Sequence, residues 1–138
     1  MFTRKSLGLE DAQHALDAVL GALTPADNPI ALAIADEHGV SVLCLRQDGA
    51  PSRMLRRARA KAYTAASIGM DTAVFRDEVV KGTSRTLDDW GDPMITSLQG
   101  GLTVRSAGEV VGGIALSGNT TTRDEGLARI GLEAMGIS

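Results

Sequence analysis

The segment GGLTVRSAGEVVGGIALSGNTTTRDEGLARIGLEAMG, Gly100 to Gly136, decides the fold. A glycine pair opens a short apolar strand, and Ser106-Ala107-Gly108 turns the chain. A second strand, Glu109 to Ser117, returns and ends at Ser117-Gly118-Asn119. Two strands joined by so short a turn pair antiparallel. A helix is then expected over about Thr121 to Met135. Asp124 and Glu125 lie in its first turn, where carboxylates favour the positive end of the helix dipole. Thr122 and Glu125 have the spacing of a capping box.

Working outward, Ile30, Leu32 and Ile34 alternate with Ala31, Ala33 and Ala35. That is a strand with one face of small residues, where a helix can pack closely. Asp36-Glu37-His38-Gly39 reads as a hairpin turn, and Val40 to Arg46 as the returning strand. Before them, apolar residues at Leu9, Ala12, Leu16, Val19, Leu20 and Leu23 recur at helical spacing, and Thr24-Pro25 ends that helix. After them, Leu55, Ala58, Ala62, Ala65 and Ala66 form the apolar stripe of a helix over Arg53 to Ile68, with Gly69 as its cap. A shorter helix is expected over Thr72 to Val80. Gly82 to Gly101 is the least regular stretch and carries the one tryptophan, Trp90. Met94 to Leu98 reads as a short strand within it. The pattern is α+β with an antiparallel sheet, in one domain over residues 1–138.

A net charge of -3 disfavours nucleic acid as a partner. The N-terminal MFTRKSLGLED lacks an apolar run, so neither a signal peptide nor a membrane span is expected and the cytoplasm is the expected location. Cys44 is the one cysteine, which excludes an internal disulfide and a multi-cysteine metal site. Its apolar strand context predicts a buried, inert thiol.

Three blocks together, Gly100 to Gly136, IALAIADEHGVSVLCLRQDGA (Ile30 to Ala50) and KAYTAASIGMDTA (Lys61 to Ala73), resemble the GlcG/HbpS-like family. The resemblance implies a five-stranded antiparallel sheet flanked by helices, in the profilin-like or PAS-like manner. It implies a homo-oligomer that binds a small molecule, with haem or a related tetrapyrrole as the leading ligand. A related cobalamin-utilisation domain keeps corrinoids open. Arg46 and Asp48 match the family's R-x-DGA block, Lys61 and Thr64 its KA-x-TA block, Gly100 and Gly101 its glycine pair, and Asp124 its DE after SG. The chain departs from the family pattern at Leu98-Gln99, where that pattern runs into a proline.

Arg46, Asp48, Lys61, Thr64, Trp90, Gly100 and Gly101 are thus the ligand-binding candidates. A haem iron needs an axial donor, and the chain has two histidines, His14 and His38, each equally explained as a surface imidazole. No C-x-x-C-H attachment signal is present. The run Arg53 to Lys61 holds five cations in nine residues, either an anion site or a solvated helix face. Pairing of Lys61 with Asp36 or Asp48 accounts for Lys61 as well as anion binding does. Gly100-Gly101 is either an anion-binding turn or a strand entry. The Trp90 loop reads as a cover over a pocket bounded by that glycine pair, or as a plug at the core edge. The alternative class is an enzyme acting on a small organic acid or aromatic metabolite, with Lys61, Asp36, His38 and Asp124 as acid, base or anion clamp. A non-catalytic sensor or assembly partner is the third. The small-residue faces Ala31, Ala33, Ala35, Ala62, Ala65 and Ala66 predict self-association.

Overall fold

In the computed structural model, residues 1–83 and 86–137 are described. Helix α1 spans Leu9–Ala22, and strands β1 (Ala31–Asp36) and β2 (Ser41–Arg46) form the expected hairpin. Helix α2 spans Ser52–Ile68, and α3 (Thr72–Val74) continues into a π-helical stretch, Phe75–Val80. The widened turn shows in Lys81 N–H donating to Arg76 C=O, five residues back. A 3-10 turn, Leu87–Trp90, precedes β3 (Gly101–Ser106), β4 (Glu109–Ser117) and α4 (Thr121–Ala134). Residues 84 and 85 of the irregular Gly82 to Gly101 stretch lie outside the described residues.

The sheet is antiparallel with the order β2-β1-β4-β3. Among the described residues it has four strands, not five. Backbone donors around the fifth expected strand, Met94 to Leu98, go elsewhere. Met94 N–H donates to the Asp92 carboxylate (3.0 Å), Thr96 N–H to Thr64 Oγ1 (3.0 Å) and Leu98 N–H to Thr96 Oγ1 (3.2 Å). A segment whose amides are taken by side chains has none left for a ladder.

The two sheet faces are built differently. On one, Ile30, Leu32, Ile34, Leu102, Ile114 and Leu116 pack against α1 and α4 in the main core. On the other, Ala31, Ala33, Ala35 and Ala115 meet Met54, Ala58 and Ala62 of α2. The alanine face of β1 therefore packs a helix closely, as its alternation predicts. This also removes the argument for self-association from small residues, because Ala62, Ala65 and Ala66 are buried within the chain. Glycines take α2 closer still. A Cβ at Gly101 would lie 2.5 Å from Lys61 C=O, and one at Gly113 would lie 3.1 Å from the Ala66 amide.

Three local expectations are corrected. Cys44 is exposed, because it pairs with Ala33 on the α2 side but lies on edge strand β2, beyond the cover of α2. The buried stripe of α1 is Ala12, Ala15 and Val19, whereas Leu9 and Leu20 face outward. Helix α4 is capped by Thr120, whose hydroxyl accepts from Arg123 N–H (3.2 Å), rather than by Thr122.

Candidate functional site

Lys61 is, with Phe75, among the largest fully buried side chains of the described residues. Helix geometry explains this. It lies three residues after Ala58 and one before Ala62, so it points at the sheet with the alanines rather than along their margin. Its Nζ donates to Leu116 C=O at the end of β4 and stands 3.9 Å from Asp124 Oδ2. Both side chains are almost wholly shielded, 1% and 3% exposed. The partner of Lys61 is thus Asp124, not Asp36 or Asp48.

Asp124 is placed by the turn between β4 and α4. Its Oδ1 accepts from Asn119 N–H (3.1 Å), which folds the carboxylate back under the first turn of the helix. Burial pushes the Lys61 amine down to about 8, against the opposing pull of Asp124, with Arg57 adding to the downward push. Burial also raises the Asp124 carboxyl above its usual range, with Lys61 opposing. Desolvation acts on both groups toward neutrality.

Around this pair lies a recess of about 110 Å³, lined by Met54, Arg57, Lys61, Leu98, Ser117 and Asp124, with Gly118, Asn119 and Thr121 at its side. Arg57 and Leu98 are exposed and mark its mouth; Lys61, Ser117 and Asp124 are buried and form its floor. Ser117 Oγ is buried and has no hydrogen-bond partner among the described residues. A buried hydroxyl without a partner costs stability, so one facing a recess is poised for an occupant that would satisfy it.

Of the remaining sequence-derived residues, Gly100 reaches the Lys61 side chain, and the others lie apart from this floor. Gly100 (φ +128°) lies against Lys61, since a Cβ there would come 2.8 Å from Nζ; Gly101 admits the α2 backbone. The glycine pair thus makes room for Lys61 and its helix. Thr64 is committed on both sides, donating to Ala60 C=O (2.8 Å) and accepting from Thr96 N–H. Arg46 donates to Ala50 C=O (2.6 Å), and with Asp48 it lines an open groove beside Leu20, Asp27 and Pro29. Trp90 packs edge-on against Phe75, with ring centroids 5.3 Å apart, and does not line the recess. Asp36 caps the β1–β2 turn by accepting from His38 and Val40 N–H (2.9 and 3.1 Å). It lies at the opposite end of β1 from Ala31, which pairs with Ser117. Five residues of strand separate the two ends by about 17 Å. Asp36 and His38 therefore do not meet Lys61 and Asp124 within one chain.

The described residues form no group of three or more His, Cys, Asp and Glu able to hold a metal ion. The recess does not enclose a haem by itself. The recess is far below the roughly 300–1,000 Å³ of an enclosing ligand site. His14 faces an open groove shared with Glu10 and Asp17, whose carboxylates would repel propionates. His38 is 66% exposed and lies beside Glu37 (3.3 Å). Among the described residues, no helix is long and apolar enough to cross a membrane.

An antiparallel sheet between helices, with a recess at one sheet end, places the chain with small α+β proteins of known structure. A protein ORFY from Klebsiella pneumoniae is 25% identical, with a TM-score of 0.89 over 99% of this chain and 94% of that one. HbpS is 30% identical, with a TM-score of 0.85 over 96% and 92%. PduOC, solved as a complex with haem, shares the fold at 22% identity, with a TM-score of 0.86 over 96% and 97%. No curated protein matches the chain. Residues 7–133 match the model of the HbpS-like family, described as haem degrading protein HbpS-like, and the chain belongs to that family.

Sequence reasoning missed Ser117, Met54 and Leu98, and held Arg57 only as one cation of the Arg53 to Lys61 run. The i, i+4 pair Arg57 and Lys61 was the one available signal, since residues at that spacing share a helix face. Nothing local in the sequence marks Ser117 as lacking a partner.

Proposed function

We propose that this chain is a single-domain, small-molecule-binding protein whose site is the Lys61 recess, and that its ligand carries a carboxylate. The observation that carries the reading is the buried floor: an amine, a carboxyl 3.9 Å away and an unpartnered hydroxyl on one cavity wall. Burying an ion pair costs several kcal/mol of desolvation, so such a pair at a cavity wall suits a binding role better than a stabilising one. Arg57 at the mouth supplies the cation for a ligand carboxylate.

Haem or another tetrapyrrole is the second reading. Membership of the HbpS-like family and the haem complex of PduOC favour it. Its propionates would suit Arg57, but the ring and the iron would need groups from outside the chain, and a second copy is the simplest source.

Haemin titration followed by its Soret band, beside titration with small mono- and dicarboxylates followed by amide chemical shifts, tests both readings. Saturable carboxylate binding that shifts Ser117, Asn119 and Asp124, and that weakens in Arg57→Ala, supports the recess. Saturable haemin binding accompanied by dimerisation in sedimentation supports the second reading. Binding that leaves those resonances unmoved places the site elsewhere.

A further inference from the structure

We infer that Lys61 captures a small carbonyl compound as an imine, and that the compound is a 2-oxo acid. The inference rests on the recess being the binding site and names the chemistry of its occupant. Four observations carry it. Lys61 lines the buried floor of a recess whose exposed rim is Arg57 and Leu98, and a modest swing of its side chain away from Leu116 C=O would bring Nζ to an occupant. Asp124 stands 3.9 Å from that nitrogen, within reach to exchange a proton after a small shift or through one water. Ser117 Oγ, on the same floor, lacks a partner. Arg57 lies one helical turn before Lys61 and lines the same recess.

A 2-oxo acid holds a carboxylate next to a carbonyl, and the recess offers matching groups in that order. The carboxylate goes to Arg57 at the mouth and the carbonyl carbon to Lys61 at the floor. About 110 Å³ is room for three or four waters at roughly 30 Å³ each, which limits the acid to a few carbons.

The reaction balances within these groups. The amine lone pair forms the C–N bond, the carbonyl oxygen takes a proton from Asp124, and a carbinolamine results. The hydroxyl then takes a second proton, delivered through Asp124 from the attacking nitrogen, and leaves as water, giving a protonated C=N whose remaining N–H proton returns to Asp124. One carbonyl and one amine become one imine and one water, without oxidant or reductant. Ser117 can donate to the departing oxygen. The reactive form is a neutral amine beside a protonated acid, and burial moves both groups toward that form.

The test uses the intact chain with pyruvate and cyanoborohydride, which reduces an imine to a stable secondary amine, followed by digestion and peptide mass analysis. The chain has three lysines, Lys5, Lys61 and Lys81, so placement is unambiguous. The expected result is one carboxyethyl group per chain, on Lys61. Asp124→Asn should slow labelling by about a hundredfold or more, the usual range for losing a general acid–base group, while pyruvate still shifts the recess amides. Labelling confined to Lys5, Lys81 or the α-amino group overturns the inference. So does absence of label while pyruvate shifts the Ser117 and Asn119 amides, and in that case the recess remains a binding site. If neither pyruvate nor any small carboxylate shifts those amides, the binding reading falls with it.

Discussion

The two ends of β1 both carry acidic residues, and they use them in opposite ways. At the Asp36 end, Asp36 caps a turn through two backbone amides, and His38 projects into solvent. There Glu37 is held below the usual carboxylate range, chiefly by a hydrogen bond from the Ser6 hydroxyl. At the Ala31 end, Asp124 faces a buried amine and burial holds it above that range. A carboxylate whose hydrogen bonds outweigh its desolvation is a stable anion; one whose desolvation beside a lysine prevails can exchange a proton. Charge counted along the sequence does not separate these cases, but the balance of partners against burial does.

Asp124→Ala should break the contrast most. It leaves Lys61 buried without its counter-charge, which costs about 3–5 kcal/mol at mildly acid pH. Above about pH 9 the cost should shrink, because the amine can shed its proton. Urea unfolding at both pH values checks this, and an equal loss at each would show that Asp124 acts through packing alone.

Next in size is the pH profile of the wild type. Between about 8 and the ordinary 10.5, the unfolded chain holds a proton on Lys61 that the folded chain has released. Stability should therefore rise with pH across that window, by on the order of 3 kcal/mol. The Lys61→Met/Asp124→Leu double variant should lose this rise. At the other end Glu37 acts in the same direction in an acid window: its depressed carboxyl contributes stability above its ordinary value of 4.5, and that contribution is lost as pH falls.

Gly101→Ala should cost about 1–3 kcal/mol, because the new Cβ meets the Lys61 carbonyl and the backbone there must move. Thermal unfolding reads this, and a neutral outcome would mean that α2 can withdraw from the sheet. Asp36→Ala should cost about 1 kcal/mol for two lost turn hydrogen bonds, with pyruvate labelling unchanged. His38→Ala should change stability by no more than about 0.5 kcal/mol, and a large effect on small-carboxylate binding would return the hairpin to the site.

What the sequence discloses follows the range of the interaction. Alternation in β1 and the turn at Asp36 to Gly39 are local patterns, and both hairpins form where the residues place them. The family follows from blocks that span most of the chain. The missing fifth strand and the exposed Cys44 depend on neighbours: on Thr64, which takes an amide 32 residues away, and on where α2 stops covering the sheet. The Lys61–Asp124 pair joins α2 to the start of α4, so no spacing rule reaches it. Lys61 was legible as an exception among the basic residues of its helix, but its burial was not, because the glycines that admit it belong to another element.

The alanine and glycine contact between α2 and the sheet has a consequence for entropy. Those residues have no rotamers to lose on folding, so this layer closes at almost no side-chain entropy cost. The cost is concentrated instead in Lys61, whose long chain surrenders roughly 1.5–2 kcal/mol of rotamer freedom. A ligand arriving in the recess therefore finds a stiff backbone behind the movable side chains of Met54, Arg57, Lys61 and Leu98. Its presence should register as a change in the side-chain relaxation of Lys61 and Met54, while the helix and strands around them keep their order.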